Sequence, residues 1–90
     1  MIRRTTASGF EYEIDREVLE DAEFLELVDD VQHGDTLRVF KLAGKILGEK
    51  QKKALYDHCR NNKGRVPSDK IAEEMGEIIE QLSEEPETKN

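Results

Sequence analysis

The sequence predicts an all-α fold, a small bundle of about four helices carrying a short extended N-terminal arm. Apolar residues recur at helical spacing over separate stretches, and glycines or a proline stand between those stretches. Only one short segment alternates with the period of a strand.

That segment, residues 9–15, sets Phe10, Tyr12 and Ile14 against Glu11, Glu13 and Asp15. A lone strand is not stable, so it is expected as an arm laid on the helices or a short edge piece. Asp15 suits the N-cap of a short helical turn carrying Val18 and Leu19. A first long helix is expected over 21–33, with Phe24, Leu27, Val28 and Val31 in one stripe and Leu25 beside it. Asp21 stands at its N-cap position, and Gly34 at its C-terminal glycine position.

Asp35 or Thr36 should cap a second helix over 36–47. Leu37, Phe40, Gly44 and Leu47 make one stripe of it, and Val39, Leu42, Ala43 and Ile46 a second. A helix apolar over so much of its girth is expected to be covered on two sides. Gly48 should end it, and a basic helix follows over 49–60 with a sparse apolar face. Asn61-Asn62-Lys63-Gly64 is a turn signal, and Val66 before Pro67 should be extended. Ser68 is expected to N-cap a last helix over 68–82, with Ile71, Met75, Ile78, Ile79 and Leu82 in its stripe. Residues 1–82 thus read as a single helical domain, and the apolar-free segment 83–90 as a disordered acidic tail.

Composition narrows the function. Ninety residues with 36% apolar content and no Trp give a lean core. Cys59 is the only cysteine, so no internal disulfide can form, which fits a reducing compartment. No run approaches the roughly 18 apolar residues of a membrane span, so the chain reads as soluble, cytoplasmic and without a membrane partner. The net charge of −7 makes nucleic acid an unlikely partner. The charge is blocked, however. Residues 10–35 hold eleven acids against Arg16 alone, 36–66 hold nine bases against two acids, and 67–90 hold eight acids against two bases. Such blocks can attract one another within the monomer or between copies.

Catalysis finds little support. Asp57, His58 and Cys59 are consecutive, and neighbouring helical residues point about 100° apart, so they cannot share one site on their own helix. His33, His58 and Cys59 match no common zinc spacing, and Asp29, Asp30 and Asp35 lack the alternating ligands of a calcium loop. Residues 44–50 lack the spacing of a phosphate loop. The chain is therefore expected to be no enzyme, with no cofactor and no metal. Lys50, Lys52, Lys53 and Arg60 form a basic face whose expected role is a solvated surface or a dock for an acidic partner.

Three stretches, taken in order and spacing, resemble a known family. They are Thr6-Ala7-Ser8-Gly9-Phe10-Glu11 leading to Glu23-Phe24-Leu25-Glu26-Leu27, then residues 47–53, then Gly64-Arg65-Val66-Pro67-Ser68. The chain resembles, over about residues 6–82, the tail assembly chaperones encoded by phages and prophages of Gram-positive bacteria. The resemblance implies a helical protein of the bacterial host cytoplasm. It would bind the tape measure protein, keep it soluble, and pass it to the major tail protein. It also implies self-association in some members, and it transfers no catalytic residue. A protein-interaction adaptor of mobile-element origin, or a small nucleic-acid-binding regulator, is the alternative. A partner-binding face is expected on the 36–47 helix, from Leu37, Val39, Phe40, Leu42, Ile46 and Leu47, unless these form the monomer's own core.

Overall fold

The computed structural model describes residues 1–84, so most of the expected acidic tail lies outside the described residues. Helices dominate, but the fold is not an all-α four-helix bundle. Among the described residues it holds three α-helices, two 3₁₀ turns and a two-stranded antiparallel sheet.

The correction begins at the N-terminus. The alternating segment becomes β2 (Glu11–Ile14), and it is no lone arm, because β1 (Ile2–Thr5) pairs with it. Ile2 lies opposite Ile14, Arg3 opposite Glu13, Arg4 opposite Tyr12 and Thr5 opposite Glu11. Thr6 to Gly9 close the hairpin: the Gly9 amide donates to the Thr6 carbonyl, and the Thr6 amide to that of Phe10. Gly9 has φ +97°, a conformation that costs glycine little. The sheet buries Ile2, Phe10, Tyr12 and Ile14 against the helices, which is what lets so short a hairpin persist.

A 3₁₀ turn over Arg16–Glu20 follows, with Asp15 accepting from the Glu17 amide as its cap. Asp21 caps α1 (Ala22–Gln32) by accepting from the Glu23 amide at 2.8 Å. Of the α1 stripe only Phe24 is fully buried; Leu27, Val28 and Val31 are half-buried. Asp35 makes no capping bond; its carboxylate instead accepts from Arg38. Thr36–Arg38 is accordingly a 3₁₀ turn, and α2 (Val39–Cys59) starts three residues later than the pattern suggested.

The two helices expected over 36–47 and 49–60 are two arms of α2, set at a corner by Gly48. Gly48 has φ +79° and ψ +165°, a region essentially reserved for glycine. The corner brings Lys52 back over Gly44, where a Cβ would lie 3.6 Å from the lysine Cδ. The first arm buries Val39, Leu42, Ala43, Ile46 and Leu47, whereas the second buries only Leu55. The 61–64 turn forms as expected, with Asn61 Oδ1 accepting from the amides of Lys63 and Arg65. α3 (Ser68–Ser83) has Pro67 rather than Ser68 at its N-cap and no side-chain capping bond. Its stripe of Ile71, Met75, Ile78 and Leu82 completes the core.

Candidate functional site

The polar residues that join the hairpin to the helices are the most organised chemistry in the molecule. Gln51 stands in the first turn after the Gly48 corner. Its Oε1 accepts from the Glu13 amide at 2.9 Å, and its Nε2 donates to the Glu13 carbonyl at 2.7 Å and the Leu47 carbonyl at 2.9 Å. One amide side chain thus holds both the outer edge of β2 and the end of the first arm. Gln81 does the same on the other side: it accepts from Tyr12 Oη at 2.7 Å and donates to the Thr5 carbonyl at 3.0 Å.

A third tie lies at the hairpin tip. Ser8 Oγ donates to Glu74 Oε2 at 2.8 Å and lies 2.9 Å from His58 Nε2. With the single hydroxyl proton given to the carboxylate, the imidazole nitrogen is the donor in the second bond. The Ala7 amide donates to Glu77 Oε2, and the His58 ring packs on Phe10 with centroids 5.6 Å apart. Serine, histidine and glutamate meet here, yet not as a hydrolytic triad. The carboxylate binds the serine rather than orienting the imidazole, and the Gly9 amide is already spent on the Thr6 carbonyl. This cluster is a latch. No local pattern announces it, because Ser8, His58 and Glu74 are far apart in sequence.

The consecutive Asp57, His58 and Cys59 diverge, as the helical geometry required. Asp57 binds Arg60 and Lys53, and these cations hold its carboxyl below the usual range, Arg60 most strongly. Cys59 is half-buried; burial foremost, and the Glu74 charge after it, push its thiol up, against a smaller effect of Lys70. A thiol so placed is a poor nucleophile at neutral pH. His33 sits at the end of α1, where its Nδ1 lies 2.9 Å from the Asp29 carbonyl oxygen. Among the described residues, no group of three or more His, Cys, Asp or Glu side chains is placed to hold a metal ion.

The basic face is partly neutralised. Lys53 and Arg60 are both engaged by Asp57, and Lys52 Nζ lies 5.6 Å from the centre of the Tyr56 ring. Lys50 is exposed. The four do not present a continuous free strip for phosphates.

The expected partner-binding residues divide sharply. Val39, Leu42, Ile46 and Leu47 are buried in the monomer's own core, and of these only Val39 also reaches a surface groove. Phe40 is half-buried, and Leu37 is 77% exposed. These last two face that groove, of ≈ 170 Å³, between the start of α2 and the start of α3. Thr36, Leu37, Val39 and Phe40 line one side, and Ser68, Asp69 and Ala72 the other. Arg38 is held away by Asp35 and Asp30.

Comparison of the chain with protein-family models, curated proteins and solved structures finds no match.

Proposed function

We propose that this chain is a protein-binding module that works without catalysis, a tail assembly chaperone that shields a segment of the tape measure protein. The observation that carries the binding reading is Leu37. Leu37, 77% exposed, is gathered with half-buried Phe40 and with Ala72 around one groove, so its apolar surface lies in a concave place and is not a lone exposed residue. The resemblance in residues 6–82 supplies the partner, and delivery to the major tail protein in the bacterial cytoplasm follows from it. No helix among the described residues is long and apolar enough to cross a membrane.

Co-expression with the tape measure protein encoded in the same tail module tests the reading. The expected result is a soluble complex that Leu37→Glu disrupts while the variant itself stays folded. A tape measure protein that remains equally insoluble with and without this chain would remove the chaperone assignment.

A further inference from the structure

The groove at Leu37 carries a charge pattern that specifies what can lie in it. Its volume of ≈ 170 Å³ resembles a cavity of about 150 Å³ that accepts one benzene ring, so it fits a single large apolar side chain. The α3 wall is acidic. Asp69 lines the groove, and Glu73, one turn on, is exposed beside Ala72. Neither carboxylate has a cationic partner among the described residues. No charged residue lines the opposite wall, which is formed by Thr36, Leu37, Val39 and Phe40. The charge at the groove is therefore negative and lies on the α3 side.

Docked through Leu25, a second copy of this chain is a poor occupant. Its other exposed large apolar residue on a helix, Leu25, stands among Glu23, Glu26 and Asp29. Docking that face would set carboxylates against Asp69 and Glu73.

We infer that the groove takes an amphipathic helix of another protein, through one anchor of leucine, methionine or phenylalanine size, with lysines or arginines on the flank that meets α3. The inference rests on the protein-binding reading and adds the chemistry of the partner. The anchor fills the space over Phe40 and covers Leu37, while the basic flank meets Asp69 and Glu73.

Three labelled peptides of about 20 residues, enough for a helix of roughly 30 Å, test it by fluorescence anisotropy. One carries a leucine stripe flanked by lysines, one the same stripe flanked by glutamates, and one the lysine composition scrambled so that no stripe remains. The lysine-flanked helix should bind about tenfold tighter than either other peptide. Leu37→Ser should weaken it by about tenfold. Asp69→Asn with Glu73→Gln should abolish the preference between the two striped peptides. Equal binding of the scrambled peptide, equal binding of the glutamate-flanked helix, or indifference to Leu37→Ser would each overturn the inference. So would a dimer, seen by sedimentation at two concentrations, that Leu37→Ser dissolves. A tape measure complex that needs Leu37 but survives the Asp69 and Glu73 substitutions would sink the charge rule alone. Failure of both the complex and the peptides would sink the binding reading as well.

Discussion

The hairpin side and the groove side of this protein end their apolar surfaces in opposite ways. Under the hairpin, polar side chains tie the strands and their turn to the helices: Gln51 to Glu13, Gln81 to Tyr12 and Thr5, Ser8 to Glu74. Around the groove, no hydrogen bond or ion pair joins the α2 wall to the α3 wall among the described residues. A chain of ninety residues has little stability to spare, so the placement of these ties matters. Side chains seal the surface the monomer keeps for itself, and the unsealed seam lies where Leu37 is exposed. Substitutions on the two sides should therefore differ in kind. Those under the hairpin should cost stability, and those at the groove should cost only binding.

The largest expected effect is Tyr12→Ala. Tyr12 is 2% exposed, stacks near Phe10 with centroids 6.2 Å apart, and donates to Gln81. Removing a buried aromatic ring typically costs about 3–5 kcal/mol. That is a large share of the margin of a domain this size, so urea unfolding should shift to far lower denaturant or begin already unfolded. A loss below about 1 kcal/mol would mean that the hairpin is a detachable arm after all.

Gln51→Ala should fall between the extremes. It leaves the Glu13 amide and carbonyl and the Leu47 carbonyl without their partner. Part-exposed backbone groups recover some of this from water, so about 1–2 kcal/mol is expected. The specific signature is faster hydrogen exchange at the Glu13 amide with little change elsewhere in β2. An unchanged Glu13 exchange rate would show that the clamp holds nothing.

Much of this architecture was legible in the chain, for physical reasons that differ by element. The α3 stripe and the Phe24 stripe were readable because a 3.6-residue period needs no tertiary information. The caps at Asp15 and Asp21 and the corner at Gly48 were readable because each is a local backbone demand. β1 was not, since Ile2-Arg3-Arg4-Thr5 has a single apolar residue and no alternation; its pairing exists only once the Thr6–Gly9 turn returns the chain. Gln51, Gln81, Ser8 and Glu74 were invisible for the same reason, because their partners are distant in sequence. The candidate site was half legible. Both apolar sides of the 36–47 stretch could be seen, but not which one the hairpin and α3 would cover. That choice buried Val39, Leu42, Ile46 and Leu47 and left only Leu37 and Phe40 at the surface.

The smallest effect carries the sharpest discrimination. Leu37→Ser should change stability by no more than about 0.5 kcal/mol, because a side chain already 77% exposed surrenders little buried area. It sits in a 3₁₀ turn before α2, where serine is well tolerated, so no helical period is broken. A thermal melt superimposable on the parent, together with lost peptide binding, separates a surface kept for a partner from one kept for the fold. A destabilisation above about 1 kcal/mol would place Leu37 among the monomer's own packing residues and close the open seam.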